Sequence, residues 1–218
     1  MRVSNNAEKL TRLENNVSFL YSVATTMADP DHFAEAGAGW MGDRLRSLGA
    51  MSVTANQVVM GGEMAGQVLV AFETDSADAA MALNAAIYGD SDLLKLLVDA
   101  GVKVERRTLM RLQAEFGSRD ASHGTILYLA GPPQDDATTQ SNMALSWSHL
   151  EAGAAGMTAM QVVAGGPSPF TGVVVTWADS MDALLAASAA NFADPAVQET
   201  MAATNTTVLG RMMTRRLF

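Results

Sequence analysis

The sequence predicts an α+β chain built as two tandem β-α-β-β-α-β repeats, and three observations carry that prediction. A long segment occurs twice: residues 57–112 open Gln-Val-Val-Met-Gly-Gly and continue through Asp75, Ser76, Asp78, Asp90, Arg107 and Arg111. Residues 161–217 open Gln-Val-Val-Ala-Gly-Gly and continue through Asp179, Ser180, Asp182, Asp194, Arg211 and Arg215. From 57 to 161 and from 111 to 215 the separation is 104 positions, interrupted only by a slightly longer turn at 167–171. Second, strand-like runs and helical spacings alternate in the same order in both halves. Third, 49% apolar and 17% charged residues describe a globular chain with material for a core.

Taken in order, residues 1–13 form a polar lead-in, with a helical turn over 8–13. Val-Ser-Phe-Leu-Tyr-Ser-Val-Ala at 17–24 is aromatic and β-branched, hence a strand. Asp29-Pro30-Asp31 starts a helix that Phe33, Ala36, Trp40, Met41, Leu45 and Leu48 continue to the stop at Gly49. Strands at 51–60 and 67–72 flank a turn at Gly61-Gly62. A helix follows Thr74-Asp75 to about Tyr88, and Asp90-Ser91-Asp92 caps a further piece over 93–98. Residues 102–112 make the fourth strand. In the second half the corresponding elements are strand 125–129, helix 135–151, strands 157–164 and 172–177, a helical stretch 180–203 broken near Pro195, and strand 205–217.

The domain reading is a first repeat over 1–113, a linker over 114–123 and a second repeat over 124–218. A β-α-β-β-α-β unit folds as a ferredoxin-like four-stranded antiparallel sheet with both helices on one face. The runs at 68–72 and 173–177 lack polar alternation, so those strands should be buried on both sides. The expectation is that the two sheets pack face to face as a pseudo-dimeric α/β barrel, with a small-molecule cavity between them.

A formal charge of −9 disfavours nucleic acid, and the absence of cysteine excludes disulfides, thiolate nucleophiles and Cys-based metal sites. No apolar run approaches the roughly 20 residues that span a bilayer. The start lacks a signal-peptide core, so a cytoplasmic location with no membrane partner is expected. The 15 methionines read first as core filler.

The segments Gly66-Gln-Val-Leu-Val-Ala-Phe-Glu-Thr-Asp-Ser and Asn191-Phe-Ala-Asp-Pro-Ala-Val-Gln-Glu-Thr-Met, followed by a last strand bearing arginines, resemble the dimeric α/β-barrel superfamily. The likeness is to its NIPSNAP-like and antibiotic-biosynthesis-monooxygenase-like branches. That resemblance implies a fold shared by cofactor-independent monooxygenases, polyketide cyclases, isomerases, haem-binding and haem-degrading enzymes, and proteins without known activity.

No complete catalytic constellation appears, so the catalytic residues stay unassigned. The candidate cavity-lining residues are Tyr21 and Tyr128, matched at an offset of 107 on the first strands; Gln57 and Gln161, matched on the second; and Arg107 and Arg211 on the last. Alternation puts Gln161 on the same side as the apolar Ala159 and Val163, where its amide needs a partner such as a ligand or the symmetry-related half; the alternative is that each Gln bonds neighbouring backbone or lies at an exposed strand end. The arginines could clamp an anion or sit in a salt-bridged edge. Trp40 and Trp147, also matched at 107, should pack their helices onto the sheets. His32, His123 and His149 have no metal-ligand spacing.

No metal and no cofactor are expected, with haem as the secondary possibility. Two functional readings stand. One is a binder of a small apolar or aromatic molecule, acting as a cofactor-independent oxygenase or cyclase. The other is a non-catalytic assembly protein with a filled barrel and self-association.

Overall fold

The computed structural model describes residues 17–218; the helical turn expected over 8–13 lies outside the described residues. The first half contains β1 (Phe19–Thr26), α1 (Pro30–Ala36), a π-helical turn (Gly37–Met41), α2 (Gly42–Ser47), β2 (Ser52–Met60), β3 (Val68–Thr74), α3 (Ala77–Gly89), α4 (Ser91–Asp99) and β4 (Lys103–Gly117). The second contains β5 (His123–Ala130), α5 (Asp136–Leu150), β6 (Gly156–Ala164), β7 (Gly172–Ala178), α6 (Met181–Ala193), α7 (Pro195–Ala203) and β8 (Thr207–Arg216). With paired helices counted as one helical layer, each half keeps the predicted order.

Caps explain where the helices begin. The side chains of Asp29, Ser76, Asp90, Asp135, Ser180 and Asp194 each accept a backbone N–H from the first turn of their helices. The matched pairs Ser76/Ser180 and Asp90/Asp194 therefore do the same work in both halves.

Two expectations need correction. The helix expected over 30–48 is broken by the π turn, inside which Gly39 takes φ −98° and ψ −112°. Glycine is a poor helix former, and two lie in this turn. The kink interrupts the 3.6-residue spacing that placed Trp40 against the sheet, and Trp40 is instead 45% exposed. The fourth strand runs on to Gly117, through residues expected to be linker. It stops where Gly117 takes φ +66°, a backbone position at which a Cβ would come within 2.2 Å of the Ala155 carbonyl oxygen.

The residues group into two compact units. The first comprises Ser18–Arg111, Val163–Gly166 and Thr214–Phe218. Within it the strand order is β4-β1-β3-β2, all antiparallel. The end of the chain joins β2 through Leu217 N–H to the Ala55 carbonyl and Ala55 N–H to the Phe218 carbonyl. One core cluster holds Tyr21, Val70 and Phe72 of the sheet with Phe33, Leu45, Leu83 and Leu93 of the helices, so the helices cover one face. Val68, Leu69 and Val70 are buried in succession, which makes β3 buried on both sides as its composition predicts.

The second unit comprises Leu112–Val162 and Pro167–Met213. Its strand order is β8-β5-β7-β6-β4, with β5 and β6 antiparallel to β7. Met157, Ala159 and Val174 of the sheet share a core with Leu150, Leu184 and Ala187 of the helices, against which Trp147 packs as expected.

Candidate functional site

Strand register decides which residues correspond between the units. In the first unit β1 pairs Tyr21 with Phe72, and β2 pairs Val53 with Phe72. In the second, β5 pairs Thr125 with Thr176, and β6 pairs Met157 with Thr176. All of these lie 104 apart, so Tyr21 answers Thr125. The matching of Tyr21 with Tyr128 is therefore wrong by three positions. An odd slip turns a strand residue to the opposite face: Tyr128 sits against Phe170, with ring centroids 4.6 Å apart, on the face away from the Leu127 and Leu129 side chains that join the helix-side core.

In the first unit the space between helices and sheet is largely filled. Tyr21 stacks on Phe72 at 5.6 Å, donates its hydroxyl hydrogen bond to Asn84 Oδ1 at 2.7 Å, and accepts one from Arg107 Nε at 3.0 Å. Arg107 also donates to the Tyr88 hydroxyl at 2.6 Å and lies over the Tyr88 ring. Burial pushes the Tyr21 phenol above its ordinary value, outweighing the lowering influence of Arg107. Burial works to lower the Arg107 pKa, but its bonds to Tyr88 and Tyr21 hold it above the usual arginine value. The remaining cavity is about 60 Å³. Gln57 accepts from Arg215 Nε at 2.8 Å and takes no part in it.

The second unit repeats this layer with smaller side chains. Thr125 and Thr176 stand where Tyr21 and Phe72 stand, Ser188 where Asn84 does, and Asn191 where Ile87 does. The result is a cavity of about 140 Å³ between α5–α7 and the helix-side face of the sheet. Leu127, Leu129, Met143, Met157, Val174 and Leu184 give it apolar walls, and Gln161 lines it as well. Gln134, in the loop after β5, donates to Thr206 Oγ1 and accepts from Asn142 Nδ2, and all three residues line the cavity.

Arg211 repeats the place of Arg107 behind this cavity. Its guanidinium donates to Ser188 Oγ at 2.6 Å and lies 5.8 Å from the centre of the Phe192 ring, and burial lowers its pKa. Asn191 is 4% exposed, and its carboxamide oxygen is buried without a hydrogen-bond partner among the described residues. Among the described residues, no Asp, Glu, Lys, Arg, His or Tyr side chain lines the cavity.

Of the six predicted residues, the structure thus joins Tyr21 to Arg107, puts Gln161 in the larger cavity and Arg211 behind it, and sends Gln57 and Tyr128 elsewhere. Sequence reading missed Thr125, Thr176, Ser188 and Asn191, because the signal is a loss of bulk at matched positions. A strict offset of 104 would have found it.

No family model matches the chain, and no curated protein matches it. Solved structures do. An anthrone oxidase-like protein is 15% identical, with a TM-score of 0.60 over 93% of this chain and 92% of that one. A proposed monooxygenase from Lactobacillus acidophilus is 12% identical, with a TM-score of 0.60 over 93% and 95%. A chlorite dismutase from Candidatus Nitrospira defluvii is 8% identical, with a TM-score of 0.57 over 96% and 94%.

At these identities the likeness shows the fold, that of the dimeric α/β-barrel proteins. It also corrects the expectation of no cofactor, because the chlorite dismutases of this fold bind haem. Haem iron is held by an axial His, Cys or Tyr, or by Met paired with His. Among the described residues, those that line the larger cavity offer only Met thioethers from that set. His149, on α5, lies outside its lining and faces Asp194 Oδ2 at 3.5 Å. The residues of this cavity therefore do not fit the group. Among the described residues no cluster of three or more His, Cys, Asp or Glu forms a metal site, and no helix is long and apolar enough to cross a membrane.

Proposed function

From the shared dimeric α/β-barrel fold we propose that this protein binds a small, neutral, largely apolar molecule between the helices and the sheet of its second unit. The observation that carries this is the pair Thr125 and Thr176, which leave open the volume that Tyr21 and Phe72 fill in the first unit. On this reading the chain is a tandem ferredoxin-like repeat in which one copy kept a filled layer and the other was hollowed into a site. The site lies on the helix side of one sheet, a different place from the inter-sheet space that the sequence suggested.

The uncharged lining favours a neutral guest, since a buried charge without a partner is costly. It supplies no side chain for general acid–base work at ordinary pH. The monooxygenase and anthrone oxidase-like neighbours make oxygen incorporation into the bound molecule the reaction class to assay.

The test is a titration of the full chain, labelled with ¹³C at its methionine methyl groups, with toluene. The methyls of Met143, Met157, Met160 and Met201 line the cavity and should shift, while the exposed Met60 and Met81 stay put. Unmoved cavity methyls at saturating toluene would refute the reading and leave the assembly role as the one to pursue.

A further inference from the structure

Resting on that reading of the cavity, we propose that its natural guest is a single-ring compound carrying a neutral hydroxyl, and that Asn191 and Ser188 read that hydroxyl together. Size comes first. The cavity measures about 140 Å³, and an apolar protein cavity of about 150 Å³ takes up benzene, so one ring with small substituents fits and a fused tricycle does not.

Charge comes next. Arg211 meets the layer through Ser188 and Phe192, and its guanidinium is committed to both. An ionised guest would meet only neutral side chains.

The pattern of donors and acceptors supplies the hydroxyl. Asn191 occupies the place of Ile87, so an amide stands at a position that the first unit keeps apolar. Its oxygen is a buried acceptor in want of a donor, a condition that native proteins rarely leave unmet. Ser188 is 6% exposed, and its oxygen already accepts from Arg211, which leaves its own proton to be given away. The two residues are three apart on α6 and so are neighbours on one helix face. A hydroxyl is the simplest group that serves both, donating to Asn191 Oδ1 while accepting from Ser188. An ether cannot donate, and a hydrocarbon can do neither.

The experiment compares p-cresol, 4-methylanisole and toluene on the full chain by the same methyl titration, in the wild type and in Asn191→Leu. The wild type should bind p-cresol roughly tenfold more tightly than the other two. Asn191→Leu should erase that preference and leave toluene binding within about threefold of the wild type. Asn191→Ile, which installs the first unit's own residue, replaces the leucine variant if that one fails to fold, and Ser188→Ala should lower p-cresol affinity alone. Equal binding of the three probes to the wild type, or a preference that survives at position 191, overturns the hydroxyl reading while the cavity reading stands. Failure of every probe to bind overturns the cavity reading and this inference with it.

Discussion

Replacing Thr125 by Tyr and Thr176 by Phe should close the cavity of the second unit and stabilise the protein. The graft copies the pair that fills the first unit, where Tyr21 and Phe72 stack at 5.6 Å across β1 and β3. Its polar end is already provided for. The Tyr21 hydroxyl is held by Asn84 and Arg107, and the positions 104 further on are Ser188 and Arg211. If the cavity shrinks from about 140 to about 60 Å³, some 80 Å³ is filled, worth about 2 kcal/mol at roughly 24 cal/mol per Å³. For a chain of this size that corresponds to a rise in Tm of about 4–8 °C. Thermal unfolding followed by circular dichroism measures the gain, and the methionine methyl titration with toluene should become silent. A double variant that is less stable than the wild type and still takes up toluene would show that these two threonines do not shape the cavity, and the account of how the halves diverged would fall.

Two further outcomes follow from the geometry. Asp90 is held below its ordinary pKa chiefly by the backbone N–H of Leu93, with Arg44 and the N–H of Asp92 adding to it. A depressed folded-state pKa contributes stability above the unfolded value near 3.8, which is lost as pH falls through the folded value. Asp90→Asn should therefore lower Tm at pH 7, and the gap to the wild type should narrow below pH 4 in melts run across that range; a constant gap would show that the charge contributes nothing. Gly153→Ala would place a Cβ 2.2 Å from the Ala183 carbonyl oxygen at the start of α6. A cost of about 3 kcal/mol is expected, visible as a lowered urea midpoint, and an unchanged midpoint would mean that α6 can draw back.

Much of the architecture was legible because caps and duplicated turns are local. Ser76, Asp90, Ser180 and Asp194 announce their helices by residue type alone, and Gln57 and Gln161 lie in β2 and β6. The site was harder to read for a physical reason. Strand residues three apart face opposite ways, so pairing Tyr21 with Tyr128 through shared chemistry chose the wrong side of the sheet, while Thr125 carries no chemical flag. Asn191 sits in the very segment that suggested the fold, yet only burial reveals that its amide oxygen is unanswered. The kink at Gly39 likewise had no spacing signal, since Trp40 and Met41 continue the helical pattern on paper.

The unit boundary cuts β4 between Arg111 and Leu112 and β8 between Met213 and Thr214. Each of these strands therefore starts as the property of one half and finishes as the property of the other. A gene severed at its midpoint would part Ser18–Arg111 from Thr214–Phe218, the closing stretch of the same unit, whose Leu217 and Phe218 pair with Ala55 of β2.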